Sequence, residues 1–115
     1  MSPNKATVKK YIQGFRETNH EMILSCLTDD VVWEFPGLYK HVGKNAFDKE
    51  IENENFEGKP TIQIIRLIEE NNIVVAEGAV QCKMKNGNML DAVFCDVFHF
   101  RDHKINHLTT YLLQR

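Results

Sequence analysis

The chain is predicted to fold as an α+β domain, helices first and an antiparallel meander after them, and three observations carry that expectation. In the first half, apolar residues such as Val8, Tyr11, Ile12 and Phe15 recur at helical spacing, which places them on one face. Beyond Gly58 and Pro60 the character changes to β, with long runs rich in branched and aromatic residues. Turn signals divide those runs at Asn71-Asn72, Asn86-Gly87 and Asp102-His103. Helices followed by consecutive strands form two layers, the helices covering one face of a curled sheet.

Each element has its own local reason. Ser2 followed by Pro3 is a helix start, and Val8, Tyr11, Ile12 and Phe15 make the first helix amphipathic. Asn19 reads as the N-cap of a shorter second helix with the stripe Met22, Ile23, Cys26 and Leu27, ended by Thr28-Asp29-Asp30. Val31 to Phe35 reads as a strand closed by Pro36-Gly37, after which a loop carries Tyr39 and His41. A third helix is predicted from Lys44 to about Asn53, with Phe47 and Ile51 one turn apart. The later strands are Thr61 to Glu70, Ile73 to Lys85, Met89 to Arg101 and Ile105 to Leu113. No linker, repeat or low-complexity segment interrupts this order, and 115 residues suffice for one hydrophobic core but not two. One domain spanning residues 1–115 is expected.

Composition excludes several partner classes. A net charge of -2, a pI near 6.2 and no cluster of Lys and Arg leave no electrostatic footprint for nucleic acid. No apolar run is long enough to span a bilayer, so no membrane partner is expected. The amino terminus lacks the apolar core of a secretory signal, and Cys26, Cys82 and Cys95 are odd in number without paired spacing. Both features point to a cytoplasmic protein with reduced thiols.

The residue that stands out is Asp96. On a strand from Met89 to Arg101, alternation puts Leu90, Ala92, Phe94, Asp96, Phe98 and Phe100 on one face, five of the six apolar. A carboxylate in such surroundings must find a partner or raise its pKa and become a neutral acid. If Asn86-Gly87 forms a two-residue type I′ turn, Lys85 pairs with Asn88, and counting outward sets Glu77 opposite Asp96. Two opposed carboxyl groups on an apolar surface would share a proton and titrate as a unit. The alternative is a Glu77 that points outward or meets a Lys or Arg. The same count gives the other face Val74, Ala76, Gly78, Val80, Cys82 and Met84 beside Val93, Cys95 and Val97. With helices enough to cover only one apolar face, a homodimer through the outer face is expected, the alternative being a sheet curled over itself.

Other candidate chemistry is thin. His99, His103 and His107 recur every four residues, but the local β composition scatters them over two strands and a turn, so no metal site is expected. His20 and His41 read as solvated surface residues. No glycine-rich phosphate loop or nucleophile motif is present.

Tyr11-Ile12 on the first helix, Leu27-Thr28-Asp29-Asp30-Val31-Val32-Trp33 at the first strand, and Asp96-Val97-Phe98-His99-Phe100-Arg101-Asp102-His103-Lys104-Ile105 near the end occur together in order. With them, nearly the whole chain resembles the nuclear transport factor two-like superfamily, in particular its SnoaL-like and ketosteroid isomerase-like members. The resemblance implies a conical barrel of three N-terminal helices packed on a strongly bent antiparallel sheet around an apolar pocket, commonly as a dimer. In the ketosteroid isomerases a tyrosine on the first helix and a protonated aspartic acid on a late strand form an oxyanion hole; Tyr11 and Asp96 match those positions. The carboxylate base of those enzymes falls at Phe35, preceded by Glu34, which alternation turns away if Phe35 faces in. Steroid isomerisation is therefore not expected.

Three readings follow. The first is a cofactor-free pocket enzyme of isomerase, cyclase or dehydratase type acting on an apolar carbonyl compound. Tyr11, Asp96 and Glu77 would be its catalytic residues, and Trp33, Phe35, Tyr39, Phe94, Phe98, Leu108, Thr110 and Leu112 would line the pocket. The second is a protein of the same fold that binds a small apolar ligand without transforming it. The third is a dimeric scaffold whose carboxylates are structural. On the last strand, alternation turns either Leu108, Thr110 and Leu112 or His107 inward.

Overall fold

In the computed structural model the described residues are 2–115; Met1, first residue of the expected domain, lies outside them. Helix α1 spans Pro3–Glu17, and Ser2 caps it by accepting from the Lys5 amide at 3.0 Å. It ends where Thr18 turns left-handed (φ 52°). Asn19 caps α2, His20–Leu24, accepting from the Met22 amide at 3.0 Å. The apolar stripes fall inward as the spacing requires: Val8, Tyr11, Ile12 and Ile23 are buried. Helix α3 spans Lys44–Ile51, two residues shorter than its predicted end near Asn53, and buries Phe47. Among the described residues no helix is long and apolar enough to cross a membrane.

Six strands complete the fold: β1 Leu27–Phe35, β2 Tyr39–Val42, β3 Phe56–Glu70, β4 Ile73–Met84, β5 Met89–Arg101 and β6 Lys104–Gln114. They form one sheet in the order β2-β1-β6-β5-β4-β3. The three helices pack on its inner face, an α+β arrangement whose sheet curls without closing. Every strand pair is antiparallel except β1 with β6, so the sheet is mixed rather than purely antiparallel. The parallel pairing follows because β1 and β6, far apart in sequence, meet as neighbours and need no tight turn between them.

Three sequence expectations are corrected here. Thr28-Asp29-Asp30 does not end α2 but lies within β1, where a register shift between Leu27 and Val32 accommodates the exposed aspartates. Tyr39 and His41 sit on β2, the return strand of a hairpin, where Phe35 pairs with Tyr39 and Trp33 with His41. Strand β3 begins at Phe56, not Thr61. It passes through Gly58 and Pro60 by a register shift between Glu57 and Thr61, with Gly58 at φ 75°, a conformation open to glycine without strain.

The most consequential correction is the β4–β5 turn. Asn71-Asn72 and Asp102-His103 each have two positive φ values, the signature of type I′. At Asn86-Gly87 only Gly87 is positive, at 91°. The Gly87 amide donates to the Met84 carbonyl at 3.0 Å, and Met84 pairs with Asn88, leaving a three-residue loop with a left-handed glycine at its end. The register slips by one: Ala76, not Glu77, lies opposite Asp96, and Glu77 lies opposite Cys95. A one-residue slip exchanges faces. Val74, Ala76, Gly78, Val80 and Cys82 therefore join Phe98, Asp96, Phe94, Ala92 and Leu90 on the inner face, while Val75, Glu77, Ala79 and Gln81 join Val93, Cys95 and Val97 outside.

On β6 the open alternative resolves in the same way. Leu108 lies opposite Phe98, Thr110 opposite Asp96 and Leu112 opposite Phe94, so these three face inward. The core runs between the helices and this inner face: Phe47, Phe98, Ile23, Leu27, Ile105, Leu108, Val8, Val31 and Val74 are fully buried. Each contributes roughly 1.5–3 kcal/mol of apolar transfer to the folded state.

Candidate functional site

Asp96 occupies the middle of β5, flanked across the sheet by Ala76 on β4 and Thr110 on β6. The residue keeps some exposure as a whole, but its Oδ1 is shut from solvent and has no hydrogen-bond partner. Desolvation raises its pKa from 3.8 to about 7, with the Thr110 hydroxyl pulling the other way. A carboxyl group so placed is still about half protonated near pH 7 and so carries a proton to donate.

Aromatic residues surround it from the opposite layer. The Tyr11 ring, buried on α1, packs edge-on against Phe98 at 5.3 Å and Phe47 at 6.1 Å. Burial holds its phenol well above the usual range, and the Asp96 charge raises it further, followed by Tyr39 and Cys26. Tyr39 is also raised, first by burial, then by Glu50 and Asp96. Trp33 on β1 stacks on Phe47 at 4.5 Å, and its indole N–H donates to Thr110 Oγ1 at 3.0 Å. Asp96 is thus coupled electrostatically to both tyrosines, and Thr110 joins it to the indole.

Glu77 does not belong to this group. It lies on the outer face, where its Oε1 pairs with Arg66 Nε at 2.6 Å, both side chains substantially exposed. The one-residue slip at Gly87 accounts for the difference.

A cleft of about 480 Å³ opens beside this layer. Of the residues expected to line a pocket, Trp33, Phe35, Tyr39 and Leu112 stand in its wall. Phe98 and Leu108 are fully buried core, Phe94 is nearly so, and Thr110 lies behind the indole. Neither Asp96 nor Tyr11 forms part of the wall, although the Trp33 indole of the wall bonds Thr110, the neighbour of Asp96 across the sheet. Phe35 faces the cleft, and Glu34 turns outward to His107, Oε1 to Nε2 3.0 Å.

The sequence reading missed a polar group on the cleft wall. Glu50 of α3 accepts from His41 Nε2 through Oε1 at 3.0 Å and from Asn53 Nδ2 through Oε2 at 2.7 Å. His41 is therefore not a solvated residue; its ring stacks on Tyr39 at 4.4 Å. The only sequence signal for Glu50 was an acidic run, Glu50, Glu52, Glu54 and Glu57, which reads equally well as a solvated segment. His20 is also engaged, with Nδ1 2.5 Å from Asp48 and Nε2 2.5 Å from Glu52. A ring that serves two carboxylate acceptors must carry both protons, and hydrogen bonds to Asp48 and then Glu52 raise its pKa against desolvation.

The remaining histidines separate. His99 and His107 face one another across β5 and β6 at 5.7 Å between ring centroids, and His103 sits in the turn with Nδ1 3.0 Å from Asn4 Oδ1. Among the described residues no group of three or more His, Cys, Asp or Glu could hold a metal ion.

The arrangement has relatives. The SnoaL-like domain family profile matches residues 8–108, whereas comparison with curated protein sequences gave no match. Among solved structures, a nuclear transport factor two-like protein from Burkholderia pseudomallei superposes with a TM-score of 0.90 at 21% identity, over 98% of this chain and 92% of the other. TerC co-crystallised with polyporic acid gives 0.86 at 23% identity over 97% and 92%. An LEH-like epoxide hydrolase of M. tuberculosis gives 0.84 at 16% identity over 96% and 83%. At these identities the structural likenesses establish the fold alone, whereas the profile spans most of the sequence. The chain belongs to the SnoaL-like domain family, and it has the fold of the nuclear transport factor two-like proteins it superposes on.

Proposed function

We propose that this protein binds a small apolar molecule bearing a carbonyl or hydroxyl oxygen in the cleft beside Trp33 and Tyr39, and acts on it by cofactor-independent proton transfer with Asp96, which lies behind the cleft wall, as the acid met by a ligand that reaches past Trp33. The observation that carries this reading is the Asp96 carboxyl, buried with an unpartnered Oδ1 and a pKa of about 7. An orphaned buried polar atom calls for an explanation, and a neutral acid that donates to a developing oxyanion supplies one. Tyr11 supports the same charge from the helix side. Related folds of this shape occur with a bound organic acid and as an epoxide hydrolase, so the architecture suits small organic ligands. The test is turnover of a panel of apolar carbonyl and epoxide compounds by wild type and Asp96→Asn. Loss of activity in a folded variant is expected, and equal turnover by both would sink the proposal.

A second reading, ligand binding without turnover, is favoured by one specific observation: Phe35 faces the cleft where the isomerase-like base is expected, and Glu34 is turned to His107. Native mass spectrometry of the purified protein, showing a retained small molecule and no turnover across the panel, would select it.

The outer face also bears on assembly. Val75, Ala79, Val93 and Val97 lie there, and Ile68, Tyr111 and Leu113 are exposed. We propose that a second copy of the chain covers this surface. Tyr111→Glu is expected to convert a dimer to a monomer in light scattering; a monomeric wild type would contradict this assignment.

A further inference from the structure

The charge and ring chemistry of the cleft wall carry a choice of ligand class. Phe15, Trp33, Phe35 and Tyr39 bring four aromatic rings to the wall, with centroid separations of 6.2 Å for Phe15–Trp33, 5.6 Å for Trp33–Tyr39 and 5.5 Å for Phe35–Tyr39. Aromatic faces are negative and attract cations, above all where water is excluded. The ionisable carboxylates of the wall are Glu50 and Glu52, and among the described residues no lysine, arginine or histidine lines it.

The two carboxylates are differently committed. Glu52 faces the doubly protonated His20, so its charge is answered from outside the cleft. Glu50 is fixed by His41 and Asn53, one donor to each oxygen, and keeps a partly exposed carboxylate in the wall. The nearby Arg16 guanidinium keeps its charge but is held by the Ile62 carbonyl at 2.8 and 3.0 Å and by Gln13, and it is not in the wall. From Glu50 to Pro60 the chain along the rim has four glutamates against one lysine, Lys59, and Lys83 lies opposite Glu57 across β3 and β4. A carboxylate or phosphate ligand would enter this cleft against its field, whereas a cationic nitrogen is drawn in.

We infer that the cleft takes a small apolar molecule with a cationic nitrogen, such as an aralkyl amine or a quaternary ammonium compound, whose charge rests against Glu50 and the Tyr39 and Trp33 rings. This rests on the cleft being the ligand site, and it adds the ligand's charge to that assignment. Trp33 is the only tryptophan in the chain, so its fluorescence reports occupancy directly.

The experiment titrates the full chain with three matched probes: benzyltrimethylammonium, its neutral carbon isostere neopentylbenzene, and phenylacetate. The cation is expected to bind about tenfold more tightly than the neutral isostere, with the anion weakest. Glu50→Gln should erase most of that preference while leaving neopentylbenzene unchanged, and Tyr39→Leu should weaken the cation more than the neutral probe. Equal binding of cation and isostere, tightest binding of phenylacetate, or an undiminished preference in both variants overturns the inference and leaves the cleft as a ligand site. If no probe binds, the ligand-site assignment falls with it.

Discussion

Asp96 and Glu77 sit on adjacent strands, one register position apart, and their chemistry could hardly differ more. Asp96 faces inward with an unpartnered Oδ1, and desolvation lifts its pKa to about 7. Glu77 faces outward, exposed, beside Arg66 at 2.6 Å. Both are carboxyl groups, and each lies among β-branched and small residues in the sequence. The side of the sheet each faces decides which becomes a neutral acid and which a surface ion, and that side is set by a single residue in the turn at Gly87.

The contrast between the two faces can be broken experimentally, most forcefully at the core itself. Phe98, fully buried two residues from Asp96, is expected to cost about 3–5 kcal/mol when truncated to Ala in urea denaturation. A loss below about 1 kcal/mol would mean that the inner face is not packed as described.

The next effect depends on pH. Below about pH 4 the Asp96 carboxyl is protonated in folded and unfolded chains alike; above it the unfolded chain releases the proton, while the folded chain retains it up to about pH 7. The folded state binds the extra proton within that window, so this group's contribution to stability declines as pH rises from about 4 to about 7 and is level beyond. Asp96→Asn removes the decline. Its stability relative to wild type should improve by roughly 4 kcal/mol between about pH 4 and about pH 8. A pH-independent difference between the two proteins would show that Asp96 ionises normally.

Smallest is the effect on the outer face. Glu77→Gln breaks only an exposed ion pair and should change stability by less than about 0.5 kcal/mol at neutral pH. A loss of about 2 kcal/mol or more would place Glu77 in a buried network instead.

Much of the architecture was readable in the sequence because local signals and tertiary packing agree there. Ser2 and Asn19 cap the helices they were expected to cap, and the stripe of Val8, Tyr11 and Ile12 is the buried one. Strand β5 has its predicted bounds. Strand β2 was not readable, since four residues of mixed polarity after Pro36-Gly37 carry no period of their own and become a strand only by pairing with β1. The register failed for a different reason. An Asn-Gly pair satisfies both a two-residue turn and a three-residue loop ending in a left-handed glycine, and the choice between them is made by the whole β4–β5 ladder. Asp96 stood out as a charge on an apolar face, whereas Glu50 did not, because its partners His41 and Asn53 reach it only once β2 and α3 are packed.

The central claim is that the interior face of this sheet holds a carboxylic acid that keeps its proton until near neutral pH. A carbon-13 NMR titration of the Asp96 carboxyl, assigned by its absence in Asp96→Asn, measures this directly. An apparent pKa near 7 is the expected result. A midpoint near the ordinary aspartate value of about 4 would contradict the account.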